Sequence, residues 1–316
     1  MQIIEQIKEC INNTKNICII SHDGPDADAI GSSLALKEAL LQIDKNVTHI
    51  IQTTPNESFK SLLKDSCSKR LPKKKETFDL VFVLDCSYFD RIKHINCNDL
   101  GNMIIVIDHH LSDSTEGDII WRENVQATGV LIYELIKELN VNITSYIATC
   151  LLLSIRGDTN NFRIYNDSFD IHKMASELMK YNADINLINN VEKYNVSVLK
   201  LIGKVFNKLV YNPETKIAYL IITKEEIDKS HSTFNDASHI IDILKNVKEI
   251  DVIYLIIQNK NHISVKARSE KINVGKIMDE YGGGGHDLAA GVSNLHIRDI
   301  YEFIEDLIIK TQNQLK

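Results

Sequence analysis

The stretch SHDGPDADAIGS, residues 21–32, decides how the chain is read. Within it stand one imidazole and three carboxylates: His22, Asp23, Asp26 and Asp28. An apolar run, Ile17 to Ile20, leads in, and an Ala/Leu-rich segment, Ala29 to Leu41, leads out. The first pattern predicts a short buried strand and the second a helix. Gly24 and Pro25 break the chain between them, and Asp26 or Asp28 can cap the helix. The acidic groups therefore lie on a strand-to-helix loop, where parallel α/β sheets hold their ligands. Asp26 and Asp28 are two apart, so on a helix they point in different directions, which suits ligands for two different metal ions. A helix cap rich in Asp, with a chance histidine beside it, is the plainer reading of the same residues.

A chain of 316 residues predicts two domains. Its 44% hydrophobic content is enough for real cores. With 36 basic and 43 acidic residues the net charge is −7, which argues against salt-driven wrapping of long duplex DNA. A local basic pocket completed by bound cations stays compatible with that charge. The six cysteines have no CxxC spacing, so neither a zinc knuckle nor a disulfide framework is expected. No signal-peptide pattern and no apolar run of about 18 residues occurs, so a cytoplasmic protein without membrane attachment is expected.

Two further apolar runs repeat the first pattern. Asp79 to Cys86 (DLVFVLDC) ends on Asp85, and Met103 to His110 (MIIVIDHH) ends on Asp108, His109 and His110. A carboxylate at the carboxyl end of a buried strand has little structural reason to be there, because an unpaired buried charge is costly. Helices are predicted at Ala127–Asn140 and Thr144–Ile155, and Asp158 emerges from the end of the second. The Arg156-Gly157-Asp158 triplet is read as coincidence. The lysine-rich part of Glu57–Lys75 is read as a solvated loop. Residues 186–212 read as a helical linker between a domain at 1–185 and a second, smaller one at 213–316. The second opens a new strand–helix series and ends in Gly282-Gly283-Gly284-Gly285-His286 and a closing amphipathic helix.

With these pieces in order, the chain resembles the DHH/DHHA1 phosphoesterase family over essentially its whole length. The resemblance rests on His22-x3-Asp26-x-Asp28, Asp85 after a strand, Asp108-His109-His110, Asp158 in DTNNFR (Asp158 to Arg163), and GGGGHDLAAG (Gly282 to Gly291). It departs at Asn160, where the family branch commonly has Gly. The size is similar to the branch of short-oligonucleotide exonucleases (nanoRNases) that also remove the 3′-phosphate of pAp. The long RecJ-like exonucleases need domains for which this chain has no room. Family II inorganic pyrophosphatases share the first domain but lack the glycine-rich signature.

The resemblance implies an α/β fold: a larger N-terminal parallel-sheet DHH domain, a smaller C-terminal α/β DHHA1 domain and a cleft between them. It implies one metal ion on His22, Asp26 and Asp85, and another on Asp28, Asp85, His109 and Asp158. A ligand set of imidazole and carboxylate without thiolate suits Mn²⁺, with Mg²⁺ or Co²⁺ as substitutes. The expected reaction is in-line hydrolysis of a phosphoester. His110 would donate to the phosphate, and Asp108 would orient a ligand histidine. Arg268, Gly283, Gly284, Gly285 and His286 would bind substrate, since glycines offer backbone N–H groups and a guanidinium grips oxyanions. A flexible loop is the plainer reading of the glycine run.

Short oligoribonucleotides, pAp or dinucleotides are the expected substrates. The rivals are a linear or cyclic dinucleotide phosphodiesterase of the c-di-AMP/pApA type, an inorganic pyrophosphatase and a non-catalytic nucleotide-binding regulator. A homodimer stays open.

Overall fold

The computed structural model describes residues 2–52, 57–63, 77–93, 95–110, 112–163 and 168–315. The lysine-rich part of Glu57–Lys75, from Lys64 onward, lies outside them. The chain divides into two compact units, Met1–Lys193 and Tyr194–Lys316.

The first unit runs α1 (Gln2–Asn13), β1 (Asn16–Ser21), α2 (Ala27–Gln42), β2 (Asn46–Ile50), α3 (Lys60–Leu63), β3 (Leu80–Leu84), β4 (Ile104–Asp108), β5 (Ile119–Arg122), α4 (Thr128–Glu138), α5 (Ser145–Asp158), α6 (Phe169–Lys180) and α7 (Ile185–Val191). Its described strands form a parallel sheet in the order β2-β1-β3-β4-β5. Both faces are buried, which is why these strands read as unbroken apolar runs rather than alternating ones. Ile17, Ile19, Leu80, Phe82, Ile105 and Ile107 pack with residues of α2, α4 and α5 on one face. Cys18, Ile20, Val81, Val83, Ile104 and Val106 pack on the other with Ile92, Cys97 and Leu100.

The chain leaves β1 for β2 on one side and returns to β3 on the other. The switch point of the sheet therefore lies between the carboxyl ends of β1 and β3, where such sheets open a ligand crevice. Ser21 pairs with Leu84 and Leu84 with Ile107, so the three loops that follow leave the sheet at one level. The 14-residue helix α5 takes in Arg156, Gly157 and Asp158, three residues beyond its expected end. Strand β5, short and only half buried, has no expected counterpart.

The second unit runs α8 (Val196–Val205), β6 (Val210–Asn212), β7 (Ile217–Thr223), α9 (Lys224–Ser230), α10 (Phe234–Ser238), α11 (Ile241–Leu244), β8 (Val252–Asn259), β9 (His262–Ser269), α12 (Val274–Asp279), β10 (Gly284–His286), β11 (Ala289–His296) and α13 (Ile300–Leu315). The segment read as a linker is thus shared: α7 belongs to the first unit and α8 to the second. The sheet order is β10-β11-β9-β8-β7-β6, with β7–β8 parallel and the other pairs antiparallel. The glycine run, for which no strand was expected, contributes Gly284 and Gly285 to the edge hairpin β10–β11. Among the described residues no helix is long and apolar enough to cross a membrane.

Helices α2 and α5 carry Asp28 and Asp158, and Gly31 sets how closely they approach. A Cβ on Gly31 would stand 2.4 Å from the Cys150 carbonyl oxygen and 3.0 Å from Ser154. The Gly31→Ala substitution is therefore expected to destabilise the fold by about 1–3 kcal/mol despite the higher helix propensity of alanine. Urea denaturation checks this, and an unchanged midpoint would refute the close-approach argument.

Candidate metal centre

Each loop and helix end at the switch point contributes a side chain with a defined environment. Asp26 is the N-cap of α2: its Oδ1 accepts from the Asp28 and Ala29 N–H groups, both at 3.1 Å. The cap and the metal-ligand readings of this residue are compatible, because Oδ2 lies 4.0 Å from His22 Nε2. Asp28, two residues further in, is fully buried. Its Oδ2 accepts from Thr128 N at 2.7 Å, and its Oδ1 from Gly129 N at 3.1 Å and Ser154 Oγ at 2.5 Å. The amino end of α4 thus neutralises part of this charge.

Asp85 joins the two sides. Its Oδ2 lies 3.6 Å from His22 Nε2, and its Oδ1 lies 3.6 Å from both His109 Nε2 and His110 Nδ1. Its backbone φ is +56, a left-handed conformation in which Asp is better tolerated than most side chains. Backbone strain of this kind persists where the surroundings fix it, and Asp85 N donates to Ile107 O while Oδ1 accepts from Thr128 Oγ1.

His22 and His109, both buried, are held in the same way. His22 Nδ1 meets the Asp23 carbonyl at 3.0 Å, and His109 Nδ1 meets the Val125 carbonyl at 3.1 Å. A carbonyl only accepts, so Nδ1 carries the proton in each ring and Nε2 faces the carboxylates. His109 Nε2 lies 2.9 Å from Asp158 Oδ2 and 3.7 Å from Asp28 Oδ2. Ligand atoms of His22, Asp26 and Asp85 lie within 4.8 Å of one another, as do those of Asp28, His109 and Asp158. Asp85, His109 and His110 make a third such group. His110 Nδ1, however, is committed to Asp108 Oδ1 at 2.7 Å.

Here one expectation is corrected. Asp108 orients His110 and not His109, the histidine expected as a ligand, which the Val125 carbonyl holds instead. Asp108 is fully buried and also accepts from Ser87 Oγ. Asp23, without a role in the sequence, pairs with Lys93 Nζ at 3.2 Å. Asn160, where the family branch has Gly, has φ +48, and Asn161 and Phe162 follow at +57 and +62. Asn is among the few residues at ease there, so the departure keeps the required backbone.

The electrostatics fit a cation site. Burial pushes His22 down, but the Asp85 hydrogen bond and the Asp26 and Asp85 charges outweigh it and hold the imidazole at about 9. His109 is likewise raised: burial opposes, and Asp158, Asp28 and Asp85 prevail. Burial and the neighbouring Asp85 and Asp158 raise Asp28. Burial opposes ionisation of Asp85 too, yet its histidine partners win and lower it. Protons are thus the cluster's own compensation for crowded negative charge, and a divalent cation would displace them.

In the second unit Arg268 stands on β9 opposite Ala289, which pairs in turn with His286 of β10. The His286 side chain lies outside the described part of the structure. Gly283 and Gly285 have a packing reason, since an added Cβ would meet the Gly291 carbonyl oxygen at 2.4 Å and the Ala289 carbonyl oxygen at 2.6 Å. Gly284 has none, its nearest neighbour being Asp279 Oδ1 at 3.6 Å. Of the groups that hold the centre, Thr128, Ser154, Ser87 and the Val125 carbonyl were missed. None has a local sequence signal, because each lies far along the chain from what it holds.

Comparison with known proteins gives consistent findings. The profile of the DHH family, N-terminal domain, matches residues 16–155, and that of the DHHA1 domain matches 214–310. The chain is 29% identical over 286 residues to the bifunctional oligoribonuclease and PAP phosphatase NrnA of Bacillus subtilis, covering 88% of each chain. It is 27% identical to the protein of the same description in Mycoplasma genitalium, covering 96% of this chain and 97% of that one. An exopolyphosphatase-related protein from Bacteroides fragilis shares the fold, with a TM-score of 0.90 at 24% identity, covering 100% of this chain and 98% of that chain.

Because the raised histidines hold protons at neutral pH until a cation displaces them, apparent affinity for Mn²⁺ is expected to rise with pH between 6 and about 9. Calorimetry in buffers of different ionisation enthalpy should find roughly one to two protons released per protein at pH 7. Affinity independent of pH would contradict the arrangement.

Proposed function

The chain belongs to the DHH/DHHA1 phosphoesterase family, and from that premise we propose that it hydrolyses short oligoribonucleotides to mononucleotides and removes the 3′-phosphate of pAp, using two Mn²⁺ ions. The observation that carries the reading is the arrangement of Asp85, with one oxygen facing His22 and the other facing His109. Four carboxylates around a single divalent ion would leave excess negative charge, and two ions remove it. His22, Asp26 and Asp85 would hold one, and Asp28, Asp85, His109 and Asp158 the other. When bound, such ions lower the pKa of an attacking water and stabilise charge at phosphorus.

The remaining residues of the centre act on substrate. Asp108 fixes the His110 ring through Nδ1, and we assign Nε2 as the donor to a phosphoryl oxygen where charge develops. In the second unit Arg268, the Gly283–Gly285 backbone and His286 would grip a phosphate of the substrate. Packing does not require a glycine at 284, where an added Cβ would meet only Asp279 Oδ1 at ordinary contact distance, so the glycine run is not explained by packing alone. The relatives named as bifunctional oligoribonuclease and PAP phosphatase support this choice of substrates.

Release of mononucleotide from an RNA dinucleotide with Mn²⁺ tests the proposal, with pAp, a cyclic dinucleotide and pyrophosphate as parallel substrates. Wild type is expected to turn over dinucleotide and pAp, and Asp85→Ala to lose roughly a thousandfold in kcat. Arg268→Ala is expected to raise KM about tenfold with a smaller change in kcat. Turnover confined to the cyclic dinucleotide or to pyrophosphate would replace the proposed substrate, and no turnover at all would refute the enzyme reading.

A further inference from the structure

Arg122 ends β5 and stands directly beside Asp108 in the parallel register of β4 and β5. The other residues of this strand, Ile119, Ile120 and Trp121, are of the kind a sheet position favours; a guanidinium at its end needs a separate cause. One arm is engaged: Nη1 donates to the carbonyls of Ser112 at 3.1 Å and Ser114 at 3.2 Å. The other nitrogens differ. Nε and Nη2 are buried and have no hydrogen-bond partner among the described residues. Buried donors without partners are costly, so packing alone would favour an apolar side chain here. Nε lies 3.9 Å from Asp108 Oδ2, too far for a hydrogen bond and close enough for strong electrostatic attraction. Asp108, fully buried, accepts in turn from Ser87 Oγ, from the His110 backbone N–H at 3.3 Å and from His110 Nδ1 at 2.7 Å.

We infer that Arg122 is a positioning residue for His110, acting through Asp108 and through the segment Ser112–Ser114 that follows it. The inference rests on the proposed function, in which His110 donates to the phosphoryl oxygen. The guanidinium compensates the buried charge of Asp108, which then holds the imidazole by Nδ1. Its two bonds to the Ser112 and Ser114 carbonyls fix the chain just beyond the ring. The contacts of Arg122 run to Asp108 and to the Ser112 and Ser114 carbonyls, so its removal is expected to act on the rate of the chemical step through His110.

A double-mutant cycle tests this, using wild type, Arg122→Gln, His110→Ala and the double variant, with kcat and KM for a dinucleotide and with Mn²⁺ affinity from calorimetry. Arg122→Gln is expected to lower kcat about tenfold while KM and Mn²⁺ affinity stay within about twofold, and to cost less than about twofold in the His110→Ala background. Arg122→Lys, which keeps the charge, should restore most of the rate. It also replaces Arg122→Gln in the cycle if the latter does not fold, any loss then being expected only where His110 is present. Equal losses in both backgrounds, an unchanged kcat, or a fall in kcat that follows lost Mn²⁺ affinity would overturn the inference. No turnover by wild type would instead refute the proposed function, and the inference with it.

Discussion

The structure of the first unit depends on holding buried carboxylates close together. Asp28 and Asp85 are almost inaccessible to solvent, and Asp158 and Asp26 stand near them. Charges so placed repel unless something compensates them, and the fold supplies only part of the compensation. The amino end of α4 and the Ser154 hydroxyl serve Asp28, while Thr128 Oγ1 and three imidazoles serve Asp85. The remainder is left to protons on the histidines or to cations. A site with this deficit is suited to a divalent cation.

Delivery of these groups is a property of the sheet. A parallel order β2-β1-β3-β4-β5 puts the carboxyl ends of β1, β3 and β4 side by side, so His22, Asp85 and His109 converge although they are far apart along the chain. Helices α2 and α5 then bring Asp28 and Asp158 from one side, at a separation that Gly31 permits. Asp85 follows β3 in a left-handed backbone conformation, and both of its carboxylate oxygens face imidazole nitrogens.

Most of this was legible in the sequence because its signals are local. A buried strand flanked by Gly-Pro and Asp, or ended by Asp-His-His, announces both the element and the chemistry at its end. What was illegible depends on distant partners. Strand β5 is four residues long and half buried, so it has neither the length nor the pattern of a core strand. The hairpin β10–β11 was hidden because glycines have no side chain to pattern, although packing against Gly291 and Ala289 is what Gly283 and Gly285 serve. The partner of Asp108 was misread because adjacency in sequence does not reveal that the carbonyl of Val125 reaches His109 first.

In the proposed function Asp85 serves two cations at once. Anomalous diffraction at the manganese edge, from crystals grown with Mn²⁺, tests that claim most directly. Two peaks separated by about 3.5–4 Å, with Asp85 between them, are expected. Asp85→Asn, which keeps the side chain's shape and removes its charge, should lose at least one of the two. A single fully occupied peak in wild type, or two peaks unchanged in Asp85→Asn, would contradict it.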